Sequence, residues 1–287
     1  MVSLVASPCA FAENILKIID RQPADGVKKR FGVCSKNVVY ADRKFTIRFI
    51  EWIHMMNLLG AEKVHFYYQF LHPDLFNVVK YLEEQGLVEA WPYFDPTGVK
   101  MIRDYPFTAV TMKNMLTDCF YRGKNLYDYI AVLDMDEVIW PVNEDDMTWN
   151  DLIKRDNQLE YKDAYISSNV YYPETEAEPI EGIPSYMYMM QHIQRHEHAS
   201  QNGAAAKSLF GTERVLAVHN HFPYFCIAPD NKCVNRNVPE DISQSSHYRS
   251  GKGDENEKLV VDNKIWKYKD QLTKAVQGTM KATRFRM

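Results

Sequence analysis

Strand-like and helix-like segments alternate between Phe31 and Trp140, and that alternation restricts the chain to few folds. Residues 31–40, 62–70, 87–94 and 129–140 are rich in β-branched and aromatic side chains. Between the first two, Phe45, Phe49, Trp52, Met56 and Leu59 recur at helical spacing, with Asp42 placed to cap the start and Gly60 the end. Leu75, Val78, Val79 and Leu82 form a second apolar stripe that Gly86 stops. Residues 107–122 read as a third helix. Strands joined by helices run parallel, because each helix carries the chain back across the sheet. The run 129–140 scarcely alternates before Asp134, as expected of a strand covered on both faces.

After Trp149 the pattern loosens. Residues 163–172 read as a strand, 173–184 as an acidic, proline-rich loop, and 187–222 as short strands separated by polar loops. Residues 250–258 read as a solvated loop, and Ile265, Tyr268, Leu272 and Val276 mark a last helix among basic residues. The expected organisation is an N-terminal extension (1–29), an α/β domain (30–250) and a basic C-terminal helix or tail (251–287). Within the domain a regular first half (30–142) precedes a looser second half (143–250), which the resemblance described below implies are the nucleotide-binding and acceptor-side halves.

With 46% apolar residues in 287, the chain can build one large core. A net charge of −4 argues against a nucleic-acid binder, which would present a strongly basic face. No stretch approaches the roughly 18 apolar residues of a membrane span. The start, "MVSLVASPCAFAEN", lacks the basic n-region of a signal peptide. The cysteines form no CxxC pair, which weakens a zinc reading; Cys226 and Cys233 flank a Pro-Asp-Asn turn that a disulfide can close, with free thiols as the alternative.

The sharpest chemical signal is "YDYIAVLDMDEVIWP", where Asp134, Asp136 and Glu137 follow an apolar run. Buried carboxylates are costly unless neutralised. On an extended backbone Asp134 and Asp136 face the same way and can share one hard cation such as Mn²⁺ or Mg²⁺. Such an ion bridges diphosphate oxygens and offsets charge on a leaving diphosphate. A solvated turn at a strand's end is the plainer alternative. His192, His196 and His198 do not read as a metal cluster, since a spacing of four needs a helix that the surrounding residues disfavour.

The stretch resembles the DxD motif of GT-A glycosyltransferases, and the wider order of blocks resembles glycosyltransferase family 92. The blocks are Glu51-Trp52-Ile53 with Leu58-Leu59-Gly60; His65-Phe66-Tyr67-Tyr68; Gln85-Gly86-Leu87-Val88-Glu89; Asp118-Cys119; and Asp134-Met135-Asp136-Glu137 with Pro141. "KSLFGTERVLAVHNH" and "SSHYR" resemble later family segments, so the likeness runs over residues 30–250. It implies a GT-A fold: a Rossmann-like, mixed but mostly parallel sheet flanked by helices, with a looser α+β second half. It also implies a metal-dependent, inverting transfer of a hexose, galactose in the characterised activity, from a UDP-sugar to glycan or glycoprotein acceptors, including core fucose.

Carried onto this sequence, the resemblance makes Asp136 the first metal ligand, with Asp134 as ligand or ribose contact and Glu137 as ligand or structural hydrogen-bonding group. A C-terminal histidine completes such sites; His247 is the better match and His219 the alternative. Arg249 is placed to fork the diphosphate. Lys207 is a candidate phosphate contact, against the plainer reading of a solvated strand-edge lysine. Tyr40 is the candidate to stack on the uracil, and Arg43 to touch a phosphate. Inversion requires a general base, for which Glu197, Glu213 and Asp241 are candidates, Glu197 first. Family members work in the secretory pathway, behind an N-terminal anchor that these residues do not show. Two other readings are a non-catalytic sugar-nucleotide or glycan binder on the same fold, and a metal-dependent phosphohydrolase, which lacks a second acidic cluster.

Overall fold

The computed structural model describes residues 1–36, 38–40, 42–93, 105–156, 160–175, 178–200, 205–249 and 257–286, and side chains for all of these except 38–40 and 105–112. The first half runs β1 (Lys29–Cys34), β2 (Val38–Tyr40), α1 (Phe45–Leu58), β3 (Ala61–Leu71), α2 (Pro73–Glu84), β4 (Val88–Pro92), α3 (Tyr105–Gly123), β5 (Tyr127–Val132) and β6 (Glu137–Pro141). The second runs α4 (Trp149–Asp156), β7 (Ala164–Pro173), α5 (Tyr188–Gln191), β8 (Gln194–His196), β9 (Lys207–Gly211), β10 (Val215–Val218), β11 (Pro223–Cys226), β12 (Asn235–Asn237), β13 (Ser243–Arg249) and β14 (Leu259–Val261). A 3₁₀ turn (Lys264–Tyr268) leads into α6 (Lys269–Thr283).

One large sheet follows the order β2-β3-β1-β5-β9-β7-β13-β6, with β4 on β3 and β12 on β7. Its pairs are parallel except β5–β9, β7–β9 and β13–β6. The sheet is therefore mixed but mostly parallel, the architecture expected of GT-A. Reversal of β9 and β6 has a direct consequence: their first residues, Lys207 and Glu137, arrive at the edge where β1, β5, β7 and β13 end. Ligands sit at that carboxyl edge in open α/β sheets.

Helix α1 explains why the edge is rigid. Phe49, Ile50, Trp52, Ile53, Met55 and Met56 are all buried, so the helix is apolar nearly all round and packs between the sheet and α6. Burying each such large side chain contributes about 1.5–3 kcal/mol of transfer free energy. Trp52 Nε1 donates to the Glu137 carbonyl at 2.9 Å, tying the helix to the start of β6. The C-terminal segment belongs to the same core. Leu272, Val276 and Thr279 of α6 are buried, Thr279 Oγ1 lies 2.7 Å from His54 Nε2, and the Tyr268 ring sits 5.7 Å from Trp140. Residues 1–28 lie ahead of the sheet and are mostly exposed, apart from a bridge between Val2 and Leu16.

Two disulfides form. Cys226–Cys233 closes the short loop after β11, and Cys34–Cys119 joins the end of β1 to α3; Cys9 is free and exposed.

Candidate active site at the carboxyl edge of the sheet

The acidic stretch is not one extended strand. β5 ends at Val132, the chain turns through Asp134 with Glu137 N–H donating to the Asp134 carbonyl at 3.0 Å, and β6 leaves antiparallel to β13. The turn corrects the expectation that Asp134 and Asp136 face one way, because period-two alternation holds only while the backbone stays extended.

Asp134 points inward. Leu133 N–H donates to the Cys34 carbonyl, which sets Asp134 beside Lys36, and Lys36 Nζ lies 2.6 Å from Asp134 Oδ2. Lys207 Nζ is 3.7 Å from the same oxygen, 2.6 Å from Glu137 Oε2, and donates to Asn220 Oδ1 at 3.0 Å. Glu137 Oε2 also accepts the Asp134 N–H at 2.9 Å. Lys207 is fully buried at the start of a central strand, not solvated at an edge.

Each charge answers its neighbours. Burial alone would raise the Asp134 pKa, but the Lys207 and Lys36 charges hold it below the ordinary value. Burial would lower Lys36, and Asp134 lifts it above the usual lysine value instead. Burial and the Asp134 charge push Glu137 up, with Lys207 and His247 offsetting part of that.

His247 enters from β13, paired with Glu137 on one side and with Tyr171 of β7 on the other. Its Nε2 is 3.3 Å from Asp136 Oδ2, while its Nδ1 is 3.5 Å from Glu137 Oε1. Burial would lower its pKa, but the Asp136 hydrogen bond and the Glu137 and Asp136 charges leave it raised. Asp136, Glu137 and His247 each place a donor atom within 4.8 Å of the others.

The donor set fits a divalent ion. A carboxylate oxygen of Asp136 and an imidazole nitrogen of His247 suit Mn²⁺ and its neighbours. The two ring nitrogens diverge, so Asp136 and Nε2 are the pair that would hold an ion, and Glu137 faces the opposite nitrogen. A carboxylate there fixes the tautomer and aims the lone pair of the other nitrogen, the usual support for a ligating histidine. Asp134 stands outside this trio, held by the lysines.

The other sequence candidates fall as follows. Arg249 is exposed two residues past His247, its guanidinium 5.7 Å from the Tyr171 ring. His219 stacks on Phe222 at 4.6 Å and is not in the trio; burial and the Lys113, Lys207 and Lys36 charges lower its pKa. Arg43 is engaged on the outer face, with Asp74 and the Arg286 carbonyl at 2.5 Å each. Glu197 pairs with Lys258 at 2.6 Å on the exposed side of β8. The side chain of Tyr40 lies outside the described residues. Sequence reasoning did not find Lys36, although it follows the first strand by two residues, where a parallel α/β sheet places its ligand contacts.

Fold and site together define a GT-A-type α/β protein with an acidic, histidine-containing centre on its carboxyl edge. Residues 29–284 match glycosyltransferase family 92, and the chain belongs to that family. No curated protein gives a significant match. Among solved structures, S. aureus TarS is similar at TM-score 0.29 and 12% identity, over 54% of this chain and 23% of that chain. A TarS 1-349 structure is similar at TM-score 0.35 and 11% identity over 88% and 72%, and HddC from Yersinia pseudotuberculosis at 0.34 and 9% over 87% and 99%. The alignment thus spans under a quarter of the full TarS chain.

Proposed function

We propose that the protein is a metal-dependent, inverting transferase that moves a hexose, galactose, from a UDP-sugar to a glycan or glycoprotein acceptor. The observation that carries this reading is the convergence of Asp136, Glu137 and His247 within 4.8 Å, beside Lys36 and Lys207. Asp136 and His247 are the residues that would hold Mn²⁺ or Mg²⁺, with Glu137 orienting the imidazole. Such an ion, when bound, draws off negative charge from a departing diphosphate.

The chain's own groups do the remaining work. Lys36 and Lys207 hold the Asp134 pKa down and Lys207 offsets part of the rise at Glu137, so the lysines balance negative charge that would otherwise repel a diphosphate. Arg249, exposed at the end of β13, supplies a forked donor for phosphate oxygens. The two disulfides suit an oxidising compartment, so the reading places the enzyme in the secretory pathway; no helix among the described residues is long and apolar enough to cross a membrane.

The test is UDP release from UDP-galactose with Mn²⁺ and a core-fucosylated glycan. Asp136→Ala should lower turnover by about a hundredfold or more. Undiminished turnover in that variant defeats the mechanism, and UDP binding with no release on any glycan replaces the enzyme with a binding protein.

A further inference from the structure

A group of aromatic rings stands exposed on the hairpin that follows β9. β10 and β11 pair antiparallel, and Val215, Val218, Pro223 and Cys226 form the buried side of the pair. On the other side Phe222 is 45% exposed, Tyr224 38% and Phe225 56%. The rings touch in series. His219 lies 5.2 Å from Tyr224, Phe222 lies 5.7 Å from Tyr224 and nearly edge-on at 86°, and Tyr224 lies 6.3 Å from Phe225. Exposed apolar side chains that touch, instead of standing singly, mark an interaction surface.

The place of these rings and their chemistry both point to a sugar. The bend of the hairpin is fastened to the start of β9. Asn220 Oδ1 accepts from Lys207 Nζ at 3.0 Å, Ser208 Oγ donates to the His221 carbonyl at 2.6 Å, and His221 Nδ1 lies 2.7 Å from the Ala206 carbonyl. Lys207 in turn holds Glu137 and Asp134, so the rings continue the candidate active site along the carboxyl edge. Their surface is also mixed in polarity. Lys113 Nζ of α3 lies 5.9 Å from the Tyr224 ring, beside the phenol. A ring face carries negative charge and attracts the partly positive C–H groups on one face of a pyranose. Hydroxyls at the rim of the same sugar can pair with an ammonium and a phenol, whereas a wholly apolar partner would strip both of water and leave them unpaired.

The surface is held rigid before anything binds. The Cys226–Cys233 disulfide closes the loop behind β11, Arg214 bonds Asp163 twice at 3.0 Å, and Tyr121 of α3 donates to the Leu216 carbonyl at 2.8 Å. Groups already fixed lose little freedom on binding.

We propose that Phe222 and Tyr224, backed by His219, form the platform on which the acceptor glycan lies, an inference that rests on the transferase reading above. A sugar of the glycan sets its C–H face on the two rings, and its hydroxyls reach the Tyr224 phenol and the Lys113 ammonium.

The experiment uses the full chain with UDP-galactose, Mn²⁺ and the core-fucosylated glycan. Phe222→Ala and Tyr224→Ala should each raise KM for the glycan by about 3–10-fold. The calorimetric affinity for UDP with Mn²⁺ should stay at the wild-type value, and Tyr224→Phe should recover most of the loss. A glycan KM unchanged in both alanine variants overturns the inference. Lost UDP affinity in a folded variant also overturns it and assigns the rings to the donor's base. A changed sedimentation coefficient with wild-type glycan KM overturns it as well and makes the hairpin a contact between copies of the chain. Should an alanine variant not fold, Tyr224→Leu decides, because it keeps the apolar bulk and loses the ring: glycan KM rises, or the inference fails. A wild-type protein inactive on every glycan defeats the transferase reading itself. Calorimetric binding of the glycan then tests the platform alone: weaker binding in Phe222→Ala upholds it, and equal binding, or none by the wild type, overturns it.

Discussion

Replacing Lys207 by methionine tests the charge balance of the site most directly. The stem is nearly preserved and only the ammonium goes. Lys36 and Lys207 now face Asp134 and Glu137, two cations against two carboxylates. After the change one cation faces two carboxylates, and the uncompensated charge falls on Glu137, which is 3% exposed. Removing one partner of a buried pair costs about 3–5 kcal/mol, because the other charge stays behind unpaired. At about 2–4 °C per kcal/mol for a chain approaching this size, the melting temperature should fall by roughly 6–20 °C. The sign with pH follows from Glu137. Its folded pKa is already raised by burial and Asp134, and losing Lys207 raises it further. A raised carboxyl contributes stability that is present at low pH and lost as pH rises through the folded value. The deficit of Lys207→Met should therefore be small in acid and largest at neutral pH and above. Thermal melts from pH 5 to 8, roughly spanning the carboxyl and histidine ranges, measure it, and adding Glu137→Gln should restore part of the loss. A melting temperature that does not move, or a deficit that grows toward acid, refutes the reasoning.

Two further predictions concern groups away from the chemistry. Glu51 is wholly buried, accepts the Met189 and Met190 N–H groups at 3.0 and 3.2 Å, and is pushed by burial from 4.5 to about 7. Its contribution is therefore present below pH 4.5 and lost as pH rises toward 7, a span of roughly 3 kcal/mol; Glu51→Gln should flatten that decline in denaturant titrations across the range, and an unchanged slope rejects it. Cys34–Cys119 closes a loop with a sequence separation of 85, so replacing both residues by serine should cost about 4–5 kcal/mol on the chain-entropy account, read from urea midpoints under non-reducing conditions.

The elements most legible in the sequence were those whose ends carry backbone signals. Gly60 and Gly86 both adopt positive φ, at 102° and 77°, which is why α1 and α2 stop where their apolar stripes stop. The run 129–140 shows its apolar content but not its turn, since β6 owes its direction to β13, some hundred residues later. Lys207 misleads for a related reason. Its neutralising partners come from the turn after β5 and the start of β6, and no local pattern announces that a lysine opening "KSLFG" will be enclosed. Cys226 and Cys233 share a short turn and can be paired by eye, whereas Cys34 and Cys119 meet only once β1 and α3 are packed.

Three acids after one apolar run look like redundancy, but the turn at Asp134 gives each a separate task. Asp134 and Glu137 are committed to lysines, and Glu137 also faces His247 Nδ1. Asp136, at 45% exposure against 23% for Asp134, is the acid turned outward, with His247 Nε2 beside it. An ion held by one carboxylate and one imidazole would keep most of its coordination positions for water or phosphate oxygens. On the proposed reading, an arriving diphosphate would supply the oxygens that these residues do not, so cation and donor would bind together.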